Sequence, residues 1–145
     1  MRILTMIIQE TLRLYPPGAF VSREALQGMK LGGILVPKGV NVYVPVSTLH
    51  HDRNIWGPDA HEFNPERFAG SDQRVPAPPR VRAVRVRDAD VPGQNFAMVE
   101  LKIALSMILS KFAFSLSPLY RHSPALRLIV EPEFGVDLVM RKVQG

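Results

Sequence analysis

No cysteine occurs among the 145 residues. A fold made from this chain has no disulfide and no zinc–thiolate staple, so it must be held by buried apolar surface. With 46% hydrophobic residues, the chain has the means for one domain with a sizeable core. The same absence removes thiol nucleophiles, iron–sulfur clusters and any haem–thiolate centre, each of which needs a cysteine thiol or thiolate. No apolar run approaches the roughly 20 residues that span a bilayer, and the first one, Ile3 to Ile8, is too short for the apolar part of a signal peptide. As written, the sequence predicts a soluble chain.

The remaining constraint is periodicity. Ile3 with Ile7, and Leu4 with Ile8 and Leu12, stand four apart, which predicts a helix over residues 2–14, stopped by Pro16-Pro17. From Phe20 to Pro45 short β-rich runs (Phe20-Val21, Gly33 to Val36, Val40 to Val44) alternate with glycine and Pro-Lys-Gly turns, predicting a small antiparallel sheet. Residues 46–68 hold so many turn formers that they read as ordered coil. Helical period returns after Gly93-Gln94-Asn95, with Ala97, Leu101, Ala104, Leu105 and Ile108 on one face as far as Lys111. The tail reads as three strands, Phe112 to Leu116, Leu126 to Val130 and Val136 to Met140. The expected class is α+β.

Residues 69–92 differ in kind. They hold four prolines, five arginines and no aromatic residue, and the stretch from Arg74 to Pro92 carries +3 of the chain's net +5. A basic surface for nucleic acid would rest on this segment, but no aromatics are interleaved for stacking, so no nucleic-acid partner is expected. His50, His51, Asp52 and His61 invite a metal site, yet adjacent histidines point apart on either a helix or a strand, and none is expected. No Gly-rich phosphate loop and no Gly-x-Ser-x-Gly elbow occurs.

Three motifs then follow in order: Glu10-Thr11-Leu12-Arg13-Leu14-Tyr15-Pro16-Pro17, Phe63-Asn64-Pro65-Glu66-Arg67-Phe68 and Gly93-Gln94-Asn95-Phe96-Ala97. Together they resemble a cytochrome P-450, a haem–thiolate monooxygenase. The resemblance covers the whole chain except about residues 70–92 and implies that residues 1–145 are a C-terminal fragment of that domain. Trp56-Gly57-Pro58-Asp59-Ala60 and Tyr120-Arg121-His122-Ser123-Pro124 further resemble the plant microsomal branch that hydroxylates hormones and terpenoids. The resemblance implies a structural triad of Glu10, Arg13 and Arg67 around the proximal side of the haem. It also implies a haem-propionate contact for Arg23 and a substrate-facing stretch from Pro17 to Val21. For the parent enzyme it implies an apolar small-molecule substrate, O2, a flavoprotein reductase and the endoplasmic-reticulum membrane. No membrane segment stands in this chain, and the distal helix and membrane anchor of the family would lie upstream of residue 1.

One departure is decisive. The family's haem loop runs Phe-x-x-Gly-x-Arg-x-Cys-x-Gly, and its thiolate is the fifth iron ligand. Counting back from Gly93, Val84, Arg87, Ala89 and Val91 stand where Phe, Gly, Arg and Cys belong. The axial cysteine is missing at the position of Val91, and residues 70–92 form an aberrant Arg/Pro-rich loop in place of the haem-binding one. Codons exist for Ala83 to Pro92 that spell the missing motif when read one base later, which suggests a disturbed frame. No metal ligand, no catalytic residue and no haem binding are expected of the chain as written. Its alternative is a non-catalytic interaction or regulatory remnant.

Overall fold

The computed structural model describes residues 2–70 and 93–143. The loop expected at 70–92, with Val91, lies outside them except for Gly70. Helix α1, Arg2–Leu14, ends where Pro16 forbids its continuation. Strand β1, Phe20–Glu24, pairs antiparallel with β4, Asn41–Pro45, in the register Phe20 to Pro45 and Glu24 to Asn41. Between them β2, Met29–Leu31, and β3, Ile34–Val36, close a hairpin whose Leu31 pairs with Ile34. Gly32 and Gly33 form its two-residue turn at φ +56° and +88°, the conformation a tight hairpin needs and one that residues with a Cβ rarely adopt.

The stretch expected to be coil contains two short helices, α2, Val46–His51, and α3, Arg53–Trp56, followed by a 3₁₀ turn at Pro65–Phe68. The Asp52 side chain caps α3 by accepting from the Asn54 N–H at 2.8 Å. Helix α4 runs Gln94–Leu109 behind Gly93, which sits at φ +88°. Strand β5, Phe112–Leu116, pairs with β8, Leu138–Lys142, around an inner hairpin of β6, Pro124–Leu126, and β7, Val130–Pro132. The expected strand from Leu126 to Val130 is therefore the turn of this hairpin, because the backbone reverses at Arg127, whose N–H donates to the Ile129 carbonyl at 3.1 Å. The expected strand at Val136 begins at Leu138. Helices beside antiparallel pairs give the α+β class.

The core is small and lies mainly under α1, with Ala25 and Val36 buried at the β2–β3 hairpin and its approach. Met6, Ile8, Leu14, Ala25, Val36, Ala60 and Phe68 are its buried apolar side chains, with Glu10 and Arg13 among them. Helix α1 lies on the 3₁₀ turn and α2, and the Val130 N–H donates to the Pro17 carbonyl at 2.7 Å, tying the β6–β7 hairpin to the end of α1. The stripe read from the sequence is buried only in part: Ile8 is buried, but Ile3 is 70% exposed and Leu12 44%, and no residue of α4 is buried. The face at Met6, Glu10 and Arg13 is the one covered by residues 46–69, and the described residues leave the other sides of both helices open.

Candidate functional site: a buried arginine–carboxylate cluster

Glu10 and Arg13 are three apart on α1 and so share a face. Glu10 is fully buried and Arg13 is 2% exposed. The pair is bidentate, with Arg13 Nε donating to Glu10 Oε2 at 2.7 Å and Nη2 to Oε1 at 2.8 Å. The rest of the Arg13 fork is spent on backbone: Nη1 donates to the carbonyls of His50 at 2.7 Å and Ala60 at 2.6 Å, and Nη2 to that of Glu62 at 3.2 Å. One guanidinium therefore fastens α1 to the end of α2 and to the turn at 60–62. A lysine could not do this, since its donors radiate from one atom.

Glu10 works on the other side. Its Oε1 also accepts from the Asn64 N–H at 2.9 Å, fixing the entry to the Pro65–Phe68 turn, and Arg67 Nε lies 3.6 Å from the same oxygen. Arg67 is anchored mainly by Asp59: Nη2 donates to Oδ2 at 2.7 Å and Nη1 to Oδ1 at 3.2 Å. Nη1 also donates to the Trp56 carbonyl at 2.8 Å and Nη2 to that of Asp59 at 3.0 Å. Two cations and two anions thus balance, which is the condition under which buried charge is tolerated. The Arg13 guanidinium carbon stands 5.1 Å from the Trp56 ring centroid, a cation–π distance.

The titrations follow the geometry. Burial pushes the Glu10 carboxyl up, but the Arg13 hydrogen bonds, the Asn64 N–H and the charges of Arg13 and Arg67 outweigh it and hold the group below its ordinary 4.5. Asp59 is held down chiefly by its hydrogen bonds to Arg67. His50 is lowered from 6.5, first by burial and then by the charges of Arg13 and His51, against the hydrogen bond to the Arg13 carbonyl that favours the charged form. That bond, 3.1 Å from Nδ1, places the proton of the neutral ring on Nδ1, because a carbonyl can only accept. A native state that binds protons less readily than the unfolded chain loses stability as pH falls. Stability is therefore expected to decline first as pH drops below 6.5, through His50, and again below 4.5, through Glu10. Emission of Trp56, the sole tryptophan, whose ring centroid is 6.2 Å from that of His50, measures both steps, and His50→Gln should remove the upper one.

The other candidates lie apart from this cluster. Arg23 is exposed on β1, its Nη1 donating to the Ser22 carbonyl at 2.8 Å. The rings of His51 and His61 stack with centroids 5.3 Å apart, His51 donating through Nδ1 to the Ser47 carbonyl at 2.8 Å. His122 lies by Tyr120, with 2.9 Å between Nδ1 and the hydroxyl. Among the described residues no three His, Cys, Asp or Glu side chains gather as metal ligands. Sequence reasoning missed Asp59, Trp56 and the Asn64 N–H. The signal for Asp59 was its spacing of eight from Arg67 across a turn-rich stretch, which no helix or strand rule decodes.

The family model described as "Cytochrome P450" matches residues 1–81. Cytochrome P450 714B2 of Oryza sativa subsp. japonica is 59% identical over 148 residues, covering 100% of this chain, and Cytochrome P450 714B3 of Zea mays is 60% identical over the same span. This chain covers 27% of the length of each. Among solved structures, a cyanobacterial CYP120A1 with bound retinoic acid superposes with a TM-score of 0.78 at 27% identity, over 99% of this chain and 33% of that one. A second solved cytochrome P450, CYP102L1, gives 0.76 at 29%, over 98% and 32%. With the motifs in order, the fold shared and the family model matching more than half of its length, the chain belongs to the cytochrome P450 family.

Proposed function

We propose that this chain is a C-terminal segment of a haem-dependent monooxygenase for an apolar, hormone- or terpenoid-like small molecule, with O2 and reductase electrons, and that as written it cannot catalyse that reaction. The observation that carries the reading is the coexistence of a complete Glu10–Arg13–Arg67–Asp59 cluster with a chain that has no cysteine. The cluster supports a scaffolding role: it folds residues 46–69 against α1, where the family holds the coil on the haem's proximal side. Arg23, exposed and fork-shaped, suits a haem propionate. The apolar substrate class accords with the retinoic acid named for one similar structure.

The donor set does not fit a haem–thiolate centre. No cysteine exists to supply the thiolate, and the four histidines, among them His50 and His51 with Nδ1 committed to backbone carbonyls, offer only imidazole nitrogen in its place. Titrating the purified protein with haem, followed by absorbance, tests the reading. We expect weak, non-saturating binding; tight stoichiometric uptake would contradict it. The exposed apolar side chains of α4, with Phe96 74% exposed, favour the second reading, a non-catalytic interaction segment.

A further inference from the structure

We infer that residues 84–91 are the family's haem-ligating loop translated one base out of frame, between flanks translated in frame. The inference rests on family membership and not on the inactivity proposed above. Its starting point is a contradiction within one chain. The relatives align along the full length of the chain, 148 aligned positions for 145 residues, so sequence on both sides of the segment is family sequence. On both sides of the segment the described chain is folded, with the Pro65–Phe68 turn docked on α1 through the Asn64 N–H and α4 opening at Gln94. Yet the family model stops matching at residue 81, and the four motif residues that should precede Gly93 are all absent.

Gradual substitution does not produce this pattern. It scatters changes and seldom creates an aromatic-free run in which arginine alternates with valine, as in Val81-Arg82-Ala83-Val84-Arg85-Val86-Arg87. A frame displaced by one base does. Phenylalanine TTC read one base early becomes the end of a valine codon and the start of an arginine codon. Glycine GGG becomes the end of CGG, arginine CGG the end of alanine GCG, and cysteine TGC the end of valine GTG. Val84-Arg85, Arg87-Asp88, Ala89-Asp90 and Val91-Pro92 are residue pairs that permit these readings, at the four positions and in the spacing the motif demands. The same displacement accounts for the local surplus of positive charge, because it converts aromatic and glycine codons into arginine and valine ones. Pro92-Gly93-Gln94-Asn95 restore the frame, which requires one base fewer at the Val91–Pro92 junction and one base more upstream.

The test is to read the bases of the gene and of its transcript across residues 69–94. The inference requires GTT for Val84 followed by a CGN codon for Arg85, CGG or AGG for Arg87, GCG for Ala89 and GTG for Val91. Those codons, or bases that spell Phe-x-x-Gly-x-Arg-x-Cys directly in frame, support it. Any other synonymous codon at 84, 87, 89 or 91 overturns it and leaves substitution as the origin of the segment. The haem titration is independent of that outcome, so failure of this inference and failure of the functional reading are separately visible.

Discussion

Replacing Glu10 by alanine is expected to unfold the region around Trp56 without any denaturant. The change leaves Arg13, 2% exposed, with carbonyls for partners and no anion, and it also frees the Asn64 N–H that begins the Pro65–Phe68 turn. Removing one member of a buried ion pair costs about 3–5 kcal/mol. A whole domain of this size holds only about 5–15 kcal/mol. Glu10→Gln is the sharper variant, since it keeps the shape, removes the charge and turns an NH2 group toward the donors of Arg13. Both should shift Trp56 emission toward that of indole in water. Glu66→Ala, at an exposed position on the same turn, should change stability by about 0.5 kcal/mol or less and leave the emission in place. If Glu10→Gln melts like the parent protein, the cluster does not organise residues 46–69.

The second large effect concerns the chain on its own. Helix α4 has no buried residue; Phe96, Leu101, Ile103, Met107 and Ile108 are all exposed, and Ile3 on α1 is open as well. Each such side chain left in water forgoes about 1.5–3 kcal/mol of burial. Several of them match the entire stability of an ordinary domain. Expressed alone, the chain should therefore aggregate or give a broad, non-cooperative thermal transition. Calorimetry with light scattering measures this. A sharp two-state melt from a monomer at micromolar concentration would show that the core under α1 suffices, and would favour an independent, non-catalytic role.

What the sequence made legible follows the strength of its local signals. Pro16 ends α1 and Gly93 precedes α4, since neither a proline stop nor a left-handed glycine depends on tertiary context. The Gly32-Gly33 turn was equally readable. Residues 46–68 misled because α2 and α3 are only 6 and 4 residues long, too short for any period to emerge, and are held by Asp52 and by the carbonyls that Arg13 collects. The buried face of α1 misled for a related reason. Apolar spacing picked out Ile3, Ile7, Leu4, Ile8 and Leu12, of which Ile8 is buried, while the face that packs also bears Met6, Glu10 and Arg13, spaced by four and three, and a rule that counts only apolar residues passes over a charged pair inside a core. Arg67 was found through its motif, but its main partner Asp59 belongs to a turn whose geometry only the folded chain defines.

A P450 scaffold is present here without the cysteine thiolate that makes the family's chemistry. Reducing the purified protein with added haem under carbon monoxide and recording the Soret region tests it most directly. No red-shifted band of a thiolate-ligated ferrous–carbonyl complex is expected, because no residue of the chain can supply the thiolate. Appearance of that band from protein of this sequence would contradict it.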